Sequence, residues 1–129
     1  MLIHFSIQGN HIHFIVEAAD QSALGRAIKG LLVRMARALN KVMGRKGQVF
    51  ADRYHAQLLR SPRQAANAVR YVLDDWRMRA LRDGRPAPAG VDPFSSTAWA
   101  DIVPPLVAEP WWGMLRVGVK RYGELAGAA

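Results

Sequence analysis

The chain has 129 residues, with 18 Lys and Arg against 10 Asp and Glu and therefore a formal charge of +8. A domain of this size buries roughly two thirds of its unfolded surface, enough for a core without metal or disulfide staples, and the 50% apolar content excludes wholesale disorder. With no Cys, disulfide scaffolds, thiolate zinc sites and cysteine nucleophiles are excluded together.

No apolar run reaches the roughly 18 to 20 residues of a membrane span. The opening MLIHFSIQGNHIHF alternates where a signal peptide would run apolar behind a basic start, so no membrane partner is expected. Within it, residues 2 to 8 put Ile3, Phe5 and Ile7 on one face and His4, Ser6 and Gln8 on the other. Residues 11 to 17 alternate likewise, with Ile12, Phe14 and Val16 opposing His11, His13, Ile15 and Glu17. Only Gly9-Asn10 separates the runs, which predicts a two-residue hairpin pairing Phe5 with Phe14, Ser6 with His13 and Ile7 with Ile12. Phe5 and Phe14 are then expected to face the core.

Asp20 caps a predicted helix to about Met43, since Leu24, Ile28, Leu31, Met35, Leu39 and Val42 recur at helical spacing. Its other side is basic. Between Arg26 and Arg60 stand nine basic residues and one acid, Asp52, so nine minus one accounts for the whole +8. Two explanations stay open, a solvated helix face or a polyanion footprint. Gly44 and Gly47 end the helix, and Gln48 to Arg60 is expected to hold further extended pieces, the clearer near Tyr54 to Leu59. Ser61, Pro62 and Gln64 form the strongest helix start in the chain, a capping box with Pro at the first helical position. This second helix should reach about Arg79 and bury Ala65, Val69, Val72 and Trp76. Residues 83 to 93 are rich in Gly, Pro and Ala and read as a linker. Ser95 to Asp101 reads as a short helix, Pro104-Pro105 as a break, and the stretch from Trp111 to Tyr122 as apolar and basic. There Trp111, Trp112, Arg116, Lys120 and Arg121 suit a base-stacking surface or core packing under a loop equally well.

His11 and His13, at i and i+2 on a strand, project to the same face, which is ligand geometry but also the pattern of two imidazoles on a half-wet sheet. On the second helix Tyr71 and Asp75 lie one turn apart on a shoulder of the buried stripe, so a hydroxyl and a carboxylate can overhang the sheet. Tyr is a weak nucleophile at neutral pH, and an electrophile activated by a divalent ion is what would make it useful. Two imidazoles and a carboxylate suit Mg or Mn in function and accept Zn or Ni in a test tube. His4 reads as structural, and His55 is given no chemical role.

Three stretches in order resemble a known family. Gly9-Asn10-His11-Ile12-His13-Phe14-Ile15-Val16-Glu17 looks like the hairpin and His-hydrophobic-His signature of the single-tyrosine HUH transposases, in particular their REP-associated branch. Gly47-Gln48-Val49-Phe50-Ala51-Asp52-Arg53-Tyr54-His55 is similar to the family's segment between its long helix and the next strand, and Ala68-Val69-Arg70-Tyr71-Val72-Leu73-Asp74-Asp75 to its nucleophile helix. The resemblance covers about residues 2 to 80. It implies an α+β fold with an antiparallel sheet in the ferredoxin-like arrangement of HUH endonucleases, helices packed on the sheet. The long basic helix would lie on the apolar face and the Tyr helix beside the histidines.

By this resemblance Tyr71 is the nucleophile, forming a 5'-phosphotyrosine on single-stranded or hairpin DNA, and His11, His13 and Asp75 hold Mg or Mn. Arg26, Lys29, Arg34, Arg37, Lys41, Arg45, Lys46 and Arg53 would grip DNA through phosphates. The expected location is cytoplasmic, on nucleoid DNA. Residues 1–82 would be the transposase-like core and 83–129 a linker and C-terminal extension. Family members usually start with a further strand and helix, whereas Met1 here sits almost on the strand. An N-terminally truncated chain with an open sheet edge is therefore expected, and such an edge invites a second copy. The rival from another class is a decayed or domesticated nucleic-acid-binding remnant. An RNA-binding module is a weaker rival, because the exposed sheet aromatics it needs are missing.

Overall fold

The computed structural model describes residues 1–101, 103, 107 and 108. Among them it is α+β, with strands β1 (Leu2–Ile7) and β2 (Ile12–Val16), helices α1 (Gln21–Val42) and α2 (Pro62–Arg82), and a 3-10 turn at Ser96–Trp99. The chain divides into two compact units, one of residues 18–58 and the other of the flanking segments. No helix among the described residues is long and apolar enough to cross a membrane. The predicted Pro104-Pro105 break and the aromatic and basic stretch from Trp111 lie outside the described residues.

In the flanking unit, β1 and β2 form an antiparallel hairpin with Phe5 opposite Phe14, Ser6 opposite His13 and Ile7 opposite Ile12, the register expected from the Gly9-Asn10 turn. The face that is buried differs from expectation. Ile3, Ile15, Ala65, Val69, Val72 and Leu73 make the core, while Phe5 and Phe14 are half-buried and Ile7 is exposed. A bulge between Leu2 and His4 accounts for Ile3. One extra residue turns Ile3 to the side that carries Ile15 and the polar residues His4, Ser6 and His13, and α2 packs on that side.

Covering a polar sheet face requires partners for its polar groups, and the chain beyond α2 supplies them. Ile7 N–H donates to the Phe94 carbonyl (2.9 Å) and Ser6 bridges Ser95, so residues 94–96 lie along the outer edge of β1. Ala108 N–H donates to the Leu2 carbonyl (2.8 Å) further along that edge. Ser6 is 0% and Asp92 2% exposed. The Ser6 hydroxyl donates to Asp92 Oδ2 (2.9 Å), Gln8 Nε2 donates to the same oxygen (3.1 Å), and Phe94 N–H donates to Asp92 Oδ1 (2.9 Å). Ser96 Oγ accepts from Phe5 N–H (3.3 Å) and lies 2.9 Å from His4 Nδ1. The outer edge of β2 pairs with no strand among the described residues.

Ser61 caps helix α2, its Oγ accepting from Gln64 N–H (3.2 Å), but Gln64 Oε1 accepts from Arg60 N–H (2.7 Å), one residue before the N–H that a capping box would use. It ends in a Schellman motif at Gly84, φ 72°, with Gly84 N–H on the Leu81 carbonyl and Arg85 N–H on that of Ala80. Ala65, Val69 and Val72 are buried as expected; Leu73 and Ala66 join them, and Trp76 stays half-buried with Arg77 over its ring at 5.9 Å.

In the 18–58 unit, Asp20 Oδ1 accepts from Ala23 N–H (2.7 Å) and caps α1. Its far end repeats the Schellman pattern at Gly44 through the Asn40 and Lys41 carbonyls. At about 100° per residue the basic side chains fall opposite the stripe that contains buried Ile28. The extended pieces expected between Gln48 and Arg60 form no strand; those residues are mostly exposed, and an extended segment becomes a strand only with a neighbour to pair with. The turn at Gly47, φ 105°, is held instead by Asn40 Nδ2 donating to its carbonyl at 2.8 Å.

Asp92→Ala leaves buried Ser6 and the Phe94 amide short of an acceptor. It is expected to lower stability by about 1–3 kcal/mol, read from urea unfolding, and an unchanged midpoint would contradict the role assigned to Asp92.

Candidate metal centre

The hairpin and α2 meet at one cluster of donors. Strand β2 carries His13, the turn end carries His11, and both imidazoles lie on the face that α2 covers. Tyr71, Asp75 and Arg79 form one row along α2 at i, i+4 and i+8, so the helix presents them in line. Asp75 is buried, 4% exposed, on the side of this row that meets the histidines.

His11 Nε2 is 3.0 Å from His13 Nε2, and Asp75 Oδ2 is 3.4 Å from the first and 3.8 Å from the second. A triangle with those sides has a circumradius of about 2.0 Å, close to the ~2.0–2.1 Å bond lengths of imidazole nitrogen and carboxylate oxygen to a small divalent cation. One ion could therefore lie within bonding distance of all three donor atoms, and His11, His13 and Asp75 could hold a metal ion. Three protein donors would leave a bound divalent ion with coordination positions for other oxygens.

Two neighbours complete the cluster. The Tyr71 ring packs edge-on against His13, centroids 5.2 Å apart at 72°, and is 59% exposed, so the phenol is at once next to the centre and open to solvent. Arg79 Nε donates to Asp75 Oδ2 (3.1 Å), and Arg79 Nη2 lies 3.1 Å from His11 Nδ1. That same Nδ1 is 2.8 Å from Asn10 Oδ1. Burial holds the His13 pKa below its usual 6.5, helped by His11 and Arg79 and opposed by the Asp75 carboxylate. A neutral imidazole is the form that ligates a metal.

The structure thus brings His11, His13, Tyr71 and Asp75 together. The eight basic residues assigned to DNA, Arg26, Lys29, Arg34, Arg37, Lys41, Arg45, Lys46 and Arg53, are all exposed and all in the 18–58 unit. Arg79 is the participant that sequence reading missed. Its signal was present, a third polar residue on the Tyr71 and Asp75 row, but a basic residue near a helix end is ordinarily explained by the helix dipole. Comparison with known protein families, curated proteins and solved structures finds no match.

The sign of the His13 shift sets a pH dependence. Above pH 6.5 His13 is neutral folded or unfolded, and its contribution is fully present; as pH falls through 6.5 the unfolded chain takes the proton first and stability drops toward the lower folded pKa. The urea midpoint of the metal-free protein should fall between about pH 7 and pH 5, and less steeply in His13→Gln. Equal slopes in the two proteins would remove His13 as the cause.

Proposed function

We propose that the protein is a metal-dependent single-strand DNA endonuclease and strand transferase of the tyrosine HUH transposase type, with hairpin and α2 as the metal-holding part of a ferredoxin-like arrangement. The observation that carries the reading is the donor triangle of His11, His13 and Asp75 with the Tyr71 ring against His13. A phenol beside a two-imidazole, one-carboxylate centre is placed to attack an electrophile held there.

A divalent cation, Mg or Mn, held by His11, His13 and Asp75 would supply the Lewis acidity that polarises a phosphodiester. His11 and His13 would offer imidazole nitrogens and Asp75 an oxygen, with His13 on β2 and Asp75 on α2. Tyr71 loses its hydroxyl proton to solvent, and its oxygen attacks phosphorus; the bond to the 3' oxygen breaks, and the leaving oxygen takes up a proton to become a 3'-OH. The 5' phosphate stays on Tyr71. Because a phosphodiester replaces a phosphodiester, attack by another 3'-OH reverses the step and rejoins strands without ATP. The exposed ring suits a substrate as large as a DNA strand. The exposed basic residues of the 18–58 unit supply phosphate contacts in this reading, and the open edge of β2 is where a second copy would add.

The test is a labelled single-stranded hairpin DNA incubated with the protein and Mn or Mg. A denaturant-resistant adduct should form, disappear in Tyr71→Phe, and fall about 100-fold or more in His13→Ala, the scale of losing electrostatic stabilisation of the reacting group. Binding without an adduct at any metal concentration would leave the decayed, DNA-binding remnant as the function.

The phosphate contacts are tested separately by salt. Each contact with a single strand contributes about 0.7 to the slope of log affinity against log salt, so Arg34→Ala with Arg37→Ala should flatten it by about 1.4 if both touch phosphates. A wild-type affinity independent of salt would remove the basic side chains from the interface.

A further inference from the structure

Arg79 and a divalent cation need the same two residues. The guanidinium donates to Asp75 Oδ2, the carboxylate oxygen nearest both imidazoles, at 3.1 Å. Its Nη2 lies 3.1 Å from His11 Nδ1, an arrangement that is a hydrogen bond only if Nδ1 has no proton. Asn10 Oδ1, 2.8 Å from the same nitrogen, makes a hydrogen bond only if Nδ1 has one. The two contacts therefore exclude each other, and the tautomer of His11 decides between them.

Coordination decides the tautomer. His11 faces His13 and Asp75 with Nε2. A neutral imidazole that gives the Nε2 lone pair to a metal carries its proton on Nδ1, and that N–H is then held by Asn10. Arg79 Nη2 would be left with a donor facing a donor. Its Nε would share Asp75 Oδ2 with a dication, and its charge would repel that dication across a few ångström.

We infer that Arg79 is the resident counter-cation of this centre, a competitor that a divalent ion must displace from Asp75 and His11 in order to bind. The inference rests on the metal-centre reading and adds to it that ion binding and Arg79 release are one event. At Asp75 Oδ2 the guanidinium and a dication compete for one oxygen, and at His11 the tautomer that suits one excludes the hydrogen bond of the other. The Arg79 side chain, 35% exposed, can swing out to water at little desolvation cost, whereas Asp75, 5% exposed as a side chain, cannot. The opposite role, an outer residue that orients the ligands, predicts the opposite result when Arg79 is removed.

Calorimetric titration of the full chain with Mn should show Arg79→Gln binding about tenfold or more tightly than wild type, the direction expected when a like charge near the ion is lost. Equal or weaker binding by Arg79→Gln, with wild type binding Mn, overturns the competition and leaves the metal centre standing. Absence of binding by both proteins overturns the metal centre and this inference together. A second measurement reads the wild type directly: its 15N-edited Arg79 Nε–H resonance, assigned through backbone and side-chain correlations, should move as diamagnetic Mg is added. A resonance unchanged at Mg saturation shows that Arg79 stays on Asp75, and the inference fails.

Discussion

A carboxylate withdrawn from water governs this molecule. Asp75 is buried on α2, the helix whose Val69, Val72 and Leu73 join the core. An ionised carboxylate in that position costs several kcal/mol unless positive charge or N–H donors face it. His11, His13 and Arg79 are what the fold places there. The same demand that draws in Arg79 makes the place suitable for a divalent cation.

The site and the core share one face of a very small sheet. A two-stranded hairpin is marginal alone and needs a covering element. Here α2 covers the side that bears serine and histidine, and the polar groups so buried are satisfied by the Asp92 to Ser96 stretch from far along the chain. Those bonds also close the outer edge of β1, which an unpaired strand would present to other chains. The bulge that turns Ile3 inward is what lets an alternating strand contribute both a core residue and a site-facing row. Packing and chemistry are therefore not separable here: a shift of α2 on the hairpin would move Asp75 and Tyr71 relative to the imidazoles by the same amount.

Much of the local structure was legible beforehand. Gly9-Asn10 between two alternating runs specified the hairpin and its register from His4 to the turn, beyond which the bulge shifts it by one residue. Asp20, Ser61 and Gln64 marked where the helices begin, since unpaired N–H groups at a helix start must be met by nearby side chains. The i and i+2 imidazoles and the i and i+4 phenol and carboxylate followed from strand and helix periods. The buried face of the hairpin did not follow: apolar alternation favoured the Phe5 and Phe14 side, and the polar side was buried because distant serines and Asp92 could satisfy it.

What could be read from the chain were relations within a few residues, whose geometry covalent structure and local hydrogen bonding dictate. Four further matters were settled only on folding: that Asp75 meets the histidines, that Arg79 joins them, that Gln48 to Arg60 forms no strand, and that residues 94–96 close a sheet edge. Arg79 and His11 are 68 positions apart and Ser6 and Asp92 are 86 apart. Contacts at such separation depend on how loops close and which apolar surfaces find each other, and no local pattern encodes either.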